Sequence, residues 1–285
     1  MKSYVNCKLC PRGCGVDRTA GEKGFCGCGD TVLVAKTMLH KWEEPVLAGS
    51  GGSGAIFFGG CTLGCSYCQN RAISGMPVGK AVSSAELRKI MEDLIAQGAE
   101  NIDLVTPTHF LPGILPALEE PLPVPVVYNC GGYERVETLK KLENKVDIYL
   151  PDLKYADDTL AFRLSGVRDY FATATNAILE MVRQVGAPQW EGEKLKKGVI
   201  VRHLILPGQV ENSLKVLDWL GEHLSDSVLV SLMRQYTPMP GMAPPFDRPI
   251  TEEEYDSVLS WLYLNGLQGF TQEADSANTT YIPEF

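Results

Sequence analysis

A partial (β/α)6 barrel of parallel strands, with a small Cys-rich segment ahead of it, is the architecture this sequence predicts. From Gly54 onward, six short apolar runs alternate with helical segments. That order requires parallel strands joined by helical crossovers. The runs are continuously apolar, as strands covered on both faces must be. Six units fall short of a closed eight-unit barrel, so an open partial barrel and a doubly wound sheet both fit. In either, the functional residues gather at the C-terminal ends of the strands.

Taken in order, residues 1–53 form the Cys-rich segment, with Cys7, Cys10, Cys14, Cys26 and Cys28. The stretch "AGSGGSGA", Ala48 to Ala55, closes it and reads as a flexible connector or a close strand pairing. It contains a formal G-x-G-x-x-G, but a strand follows it where a dinucleotide loop needs a helix. The second domain, 54–285, begins with the strand "GAIFFGG". "SSAELRKIMEDLIAQG" is then an amphipathic helix capped by Ser83 or Ser84, with Leu87, Ile90, Met91, Leu94 and Ile95 as its apolar stripe. Strand "NIDLVTPT", helix "LPGILPALEE", strand "PVVYNCGG" and helix "RVETLKKLEN" follow. Then come strand "VDIYLPDLK" and helices "DDTLAFRLSG" and "FATATNAILEMVRQVG". Strand "GVIVRHLILPG", helix "NSLKVLDWLGEHL", strand "SVLVSLMRQY" and helix "TEEEYDSVLSWLYLNG" complete the chain, with a C-terminal extension.

Composition narrows the function. The chain has 285 residues, 45% of them hydrophobic, enough for a sizeable core. A net charge of −9 argues against a nucleic-acid surface, which carries a basic stripe. No apolar run approaches the roughly 20 residues of a membrane span. The opening "MKSYVNCKLCPRGCG" lacks the apolar region of a secretory signal. The expected compartment is the cytoplasm, where nine cysteines point to metal rather than disulfides.

The densest group is "GGCTLGCSYCQN", with Cys61, Cys65 and Cys68 directly after the first strand. Three thiolates from one loop suit an iron–sulfur cluster or zinc. Structural zinc closes its shell with a fourth protein ligand, and no fourth cysteine follows locally. A cubane held by three cysteines leaves one iron for another ligand. Cys7, Cys10, Cys14 and Cys26 have spacing that suits zinc or a second iron–sulfur centre, or they are free thiols of a packed subdomain. Cys130 reads as a small buried hydrophobe.

The motif "CTLGCSYCQN" resembles the signature of the radical S-adenosylmethionine superfamily. The resemblance implies a 4Fe–4S cluster on Cys61, Cys65 and Cys68, whose free iron is chelated by S-adenosylmethionine. It implies reductive cleavage to a 5′-deoxyadenosyl radical that abstracts hydrogen from a substrate. "VDIYLPDLKY" resembles a strand of the pyruvate formate-lyase-activating enzyme family of glycyl-radical activases. "CKLCPRGCGVDRTAGEKGFC", "HKWEEP" and "RHLILPG" are similar to an uncharacterised activase-like group. Within that resemblance Tyr67, Thr108, Asn129, Asp152, Lys154 and His203 are the implied cofactor-binding residues. The superfamily's Gly-Gly-Glu after the second strand is replaced by "VTPTHF", so Thr106, Thr108 or a carbonyl takes over that contact.

Strand parity sorts the remaining polar residues. Ile148, Leu150, Asp152 and Lys154 share one side of their strand, with Asp152 and Lys154 at the rim. Leu229, Ser231, Met233 and Gln235 share another, so Met233 and Gln235 are candidate pocket residues. His109, after the second strand, is a third. Of Arg202 and His203, one must point inward. His40, Glu43 and Glu44 form either a solvated turn or a group that reaches the barrel mouth. Three functions remain in view. The chain activates a glycyl-radical enzyme in anaerobic metabolism, with flavodoxin or ferredoxin as electron donor. It transforms a small molecule or peptide directly. Or it is a non-catalytic iron–sulfur or zinc scaffold.

Overall fold

The computed structural model describes residues 2–272. Its strands are β1 (Val32–His40), β2 (Ser53–Phe58), β3 (Lys80–Val82), β4 (Ile102–Val105) and β5 (Val126–Cys130). β6 (Ile148–Pro151), β7 (Gln189–Glu191), β8 (Lys194–Leu204), β9 (Leu229–Met233) and β10 (Gly269–Thr271) follow. The sheet runs β10-β9-β8-β6-β5-β4-β2-β1-β3, with β7 paired to β8 as a hairpin. The strands from β2 to β10 along that order are parallel, and β1 lies antiparallel between β2 and β3. β3 and β10 are edges, so the sheet curves without closing.

Helices cover the outer face. Ser84–Ala96 begins with the expected cap: Ser83 and Glu86 satisfy each other's backbone N–H groups. Leu87, Met91 and Leu94 bury its stripe. Tyr170–Val185 and Val210–Leu224 are regular. Two crossovers are shorter than expected. After the turn Thr108–Phe110, "LPGILPALEE" splits into the helical turns Leu111–Ile114 and Leu115–Leu118, because Pro112 and Pro116 lack the N–H a continuous helix needs. "RVETLKKLEN" keeps only Val136–Leu139 and the 3-10 turn Lys140–Leu142.

The first fifty residues belong to the same body. β1 pairs with β2 from Val34 opposite Phe58 to His40 opposite Ser53, so a boundary at 53/54 runs through a continuous ladder. "AGSGGSGA" is a packed turn: Gly52 has φ +90°, and a Cβ on Gly51 would collide with the carbonyl of Gly98. β1 runs down to the N-terminal ends of the parallel strands. There the helical turn Pro45–Ala48 enters the barrel. Leu47 packs against Val127, Ile148, Leu150, Ile200 and Leu229, inward residues of four strands. An open barrel leaves its base uncovered; this segment fills it. Residues 273–285 of the expected second domain lie outside the described residues. Among the described residues no helix is long and apolar enough to cross a membrane.

Candidate active site

β2 is buried along its whole length and delivers the chain to Gly59 and Gly60 at the C-terminal rim. Gly60 has φ +81°, and a side chain there would meet Cys28 Sγ and the Cys26 carbonyl. The chain therefore turns sharply into the loop that carries Cys61, Cys65 and Cys68. All three line a cavity of ≈ 980 Å³ inside the barrel. Each sulfur has a hydrogen-bond donor. Leu63 N donates to Cys61 Sγ at 3.4 Å, Ser165 Oγ to Cys65 Sγ at 3.1 Å and Ser74 Oγ to Cys68 Sγ at 3.3 Å. Burial pushes the Cys61 thiol up to about 11 and raises Cys68. Their ionisation thus needs a positive charge between them, which a metal centre supplies. Three soft, individually hydrogen-bonded sulfurs facing one cavity fit an iron–sulfur cluster.

Arg12, from the N-terminal segment, holds this loop from outside. Its guanidinium donates to the carbonyls of Thr62 (3.1 Å), Leu63 (2.9 Å), Ser165 (2.7 Å) and Gly166 (2.8 Å). It also stacks on Phe25, 3.6 Å from the ring centroid. A planar five-donor fork can serve four carbonyls at once; an ammonium group cannot. Arg18 is buried and donates to the carbonyls of Gly29 and His109, which fixes the segment to the rim.

Across the cavity stands a charged wall. Lys154 Nζ lies 2.6 Å from Asp152 Oδ2, and Arg202 Nε lies 3.0 Å from Asp152 Oδ1. Arg202 also donates to Asn129 Oδ1 (2.6 Å) and approaches Glu43 Oε1 (3.5 Å). Burial pushes the Asp152 carboxyl up, but Lys154 and Arg202 outweigh it and the net direction is down. Burial likewise opposes the Lys154 charge, and Asp152 and Cys65 outweigh it. Both stay charged and face the cavity.

The structure brings together Tyr67, Thr106, Asn129, Asp152, Lys154, Met233 and Gln235 with the three cysteines around one cavity. Three expected residues point elsewhere. His203 bonds Leu153 O (2.6 Å) and Ser213 Oγ (2.9 Å) on the helix-covered face. It alternates with Arg202, and it is the arginine that faces inward. His109 bonds the Gly59 carbonyl at 2.9 Å and packs on Phe110. Thr108 donates to Glu134 Oε1 at 2.7 Å behind β5. Burial drives both histidines down to about 4, so they are neutral buttresses near pH 7. The cofactor roles expected for Thr108 and His203 and the pocket role for His109 are corrected accordingly.

The N-terminal cysteines surround the clamp. Cys7 Sγ lies 3.9 Å from Arg18, and Phe25 N donates to Cys14 Sγ at 3.3 Å. Burial pushes Cys10 up to about 12, while a hydrogen bond from Cys28 pulls Cys26 down to about 6. Among the described residues, Cys61, Cys65 and Cys68 included, no three His, Cys, Asp or Glu side chains surround a single metal-ion position; a cubane takes its three cysteines on three separate irons and does not require that. Cys130 is buried, as expected of a small hydrophobe, and touches the cavity.

The sequence leaves Glu43 and Glu44 open between a solvated turn and the barrel mouth, and Asp103 and Arg12 escape it altogether. Glu43 and Glu44 rise from the base segment into the cavity and are no solvated turn. Asp103 of β4 is wholly buried and accepts from Asn129 Nδ2 at 3.3 Å. Parity marks Asp103 as a polar residue inside an apolar strand, and that signal was available. Nothing local marks Arg12.

With the geometry in hand, three comparisons are informative. Residues 55–220 match the family model described as the Radical SAM superfamily. An uncharacterized protein of Methanocaldococcus jannaschii is 30% identical over 269 residues, 90% of this chain and 74% of that protein. A radical SAM methyltransferase from Sphaerobacter thermophilus superposes with TM-score 0.55 at 16% identity, over 80% of this chain and 68% of that one. Streptococcus suis SuiB, solved with its precursor peptide SuiA, gives TM-score 0.53 at 15% identity over 76% of this chain. The match spans only 47% of SuiB. At these identities the structural likeness establishes the fold.

Proposed function

The chain belongs to the Radical SAM superfamily, and on that premise we propose that it cleaves S-adenosylmethionine reductively and abstracts hydrogen from a substrate held in the barrel. The observation that carries this reading is the opening of Cys61, Cys65 and Cys68 into the same cavity as the Asp152–Lys154 pair. Cys61, Cys65 and Cys68 would hold a 4Fe–4S cluster. When bound and reduced, that cluster supplies the electron that splits the sulfonium of S-adenosylmethionine to methionine and a 5′-deoxyadenosyl radical. The chain's own residues bind and orient. Lys154 offers an ammonium to the methionine carboxylate, and Asp152 accepts from the ribose hydroxyls or the methionine ammonium. Asn129 and Tyr67 complete that wall, Thr106 stands where the family's Gly-Gly-Glu would be, and Met233 and Gln235 face the substrate.

A backbone glycine of a protein partner is the hydrogen donor that the "PDLK" strand supports, which makes the chain an activase of glycyl-radical type. The electron donor would be a flavodoxin or ferredoxin, in anaerobic cytoplasm. A second reading, direct action on a small molecule or peptide, is favoured by the carboxyl-rich cavity floor. The N-terminal cysteines are proposed as ligands of a zinc or second iron–sulfur centre that stiffens the clamp. Anaerobic reconstitution tests the central reaction. Cluster-loaded protein with dithionite should release 5′-deoxyadenosine, and Cys65→Ala should release none. Equal release from Cys65→Ala contradicts the proposal.

A further inference from the structure

Four carboxyl groups surround Arg202. Glu43 and Glu44 reach the cavity from the base segment and Asp152 from the rim, while Asp103 of β4 is wholly buried behind that lining. Against these four stand the inward-facing cations Arg202 and Lys154; Lys41 also lines the cavity but is exposed to solvent. Lys154 is spent on Asp152, and Arg202 is divided among Asp152, Asn129 and Glu43. Glu44 faces the cavity with Ser231, and Asp103 is packed on Glu43 and Asn129. Nor are these the only unmet groups. His40 is only 9% exposed and lines the same floor, yet its Nδ1 has no hydrogen-bond partner among the described residues. Asp103 is different: burial and Glu43 push its carboxyl well up, and it shares a hydrogen bond with Glu43. Buried polar atoms are ordinarily paired, so the unpartnered His40 Nδ1, an acceptor in the tautomer that carries its proton on Nε2, marks the place of a missing donor at the cavity floor. The aromatic rings of Phe57 and Phe270 line the way down, suited to an apolar stem.

We propose that this floor, His40 with Glu43 and Glu44, anchors a cationic group of the substrate, a primary ammonium or a guanidinium at the end of an apolar stem. The proposal deepens the second reading above and rests on it only in taking the bound molecule as the substrate. In the absence of such a cation, burial and the neighbouring Glu43 raise Glu44 to about 7, so protons satisfy part of the excess. A bound ammonium replaces those protons. Binding should therefore release protons near neutrality and strengthen as pH rises through about 7. His40, Glu43, Asp103, Asp152, Arg202 and Ser231 are the groups that face Glu44 or set its charge.

The test is calorimetric titration of pentylamine into cluster-loaded protein saturated with S-adenosylmethionine, with pentanol as the uncharged control. Acetyl-glycyl-lysyl-glycine amide and its norleucine counterpart form a second arm. Pentylamine or the lysyl peptide should bind, with proton release, at least tenfold more tightly than its uncharged control. Binding of the amine alone identifies a small molecule; binding of the peptide identifies a side chain of a larger substrate. Glu44→Gln should weaken the charged ligand tenfold or more, and Glu44→Asp should restore part of the loss. Equal binding of charged and uncharged probes overturns the proposal. So does a Glu44→Gln variant that weakens S-adenosylmethionine but not the amine. Deoxyadenosine release from the same preparation separates the two readings. Release without amine binding removes only the cation site, and amine binding without release removes only the radical chemistry.

Discussion

The rim and the floor of this barrel are built by opposite means. At the rim, uncharged main-chain groups are captured by a cation: Arg12 collects four carbonyls of the cysteine loop and its neighbour Ser165–Gly166. At the floor, carboxyl groups crowd around Arg202 inside a shell of Leu47, Ile148, Leu150 and Ile200. The rim is thereby fixed in shape, as a loop that must present three thiols in one geometry should be. The floor holds charge that is incompletely paired, and its energy depends on what occupies the cavity. The difference separates a part that sets position from a part that responds to ligand and pH.

The largest expected effect breaks the floor. Arg202→Met removes the cation between Asp152 and Glu43 and leaves buried carboxylates behind, which costs about 4 kcal/mol. The loss should be greatest at pH 8 and smaller at pH 5, where Glu44 and Asp103 can take up protons. Urea denaturation at both pH values reads it; a pH-independent loss would mean that Arg202 acts through packing. At the rim, Arg12→Ala should cost about 2 kcal/mol and loosen iron retention, because the carbonyls return to weaker partners. Arg12→Lys should recover little, since one ammonium cannot reach four acceptors. Iron content after dialysis against a chelator separates the variants.

Lys154→Ala sharpens the boundary between the two regions. It should keep its iron and bind S-adenosylmethionine more weakly by about 1.5 kcal/mol, as expected for one charged hydrogen bond. Unchanged affinity would make the Asp152–Lys154 pair purely structural. The remaining effect is a pH slope. Glu44 holds its proton up to about 7, against 4.5 ordinarily. The folded state therefore binds a proton that the unfolded chain releases between those values. Its contribution to stability is complete below about 4.5 and is lost as pH rises toward 7. A decline of about 3 kcal/mol over that window, as a rise from 4.5 to about 7 implies, should vanish in Glu44→Gln.

The same division explains what the sequence made legible. The rim was readable because its chemistry is local: Cys61, Cys65 and Cys68 lie within one loop, and strand parity put Asp152 and Lys154 on one side. Parity also placed Ile148, Leu150, Met233 and Gln235 correctly, since alternation needs no tertiary information. Six parallel strands followed from the order of apolar runs. What failed depended on partners far along the chain. Arg12 meets Ser165 across 153 positions. Glu43 and Glu44 read either as a solvated turn or as a group at the barrel mouth, and β1 carries them instead beneath the barrel, where they line the cavity. Arg202 and His203 are equally polar neighbours, and only the register of β8 decides which faces in. Pro112 and Pro116 should have warned that the crossover between β4 and β5 is a series of turns.

The central claim is that Cys61, Cys65 and Cys68 open onto a cavity in which S-adenosylmethionine is split. The most direct measurement is 5′-deoxyadenosine released by the anaerobically reconstituted, dithionite-reduced protein, with iron counted in the same sample. The account predicts release that scales with cluster content and disappears in Cys65→Ala. Protein carrying a full cluster that releases no 5′-deoxyadenosine, or a Cys65→Ala variant that releases as much as the parent, would contradict it.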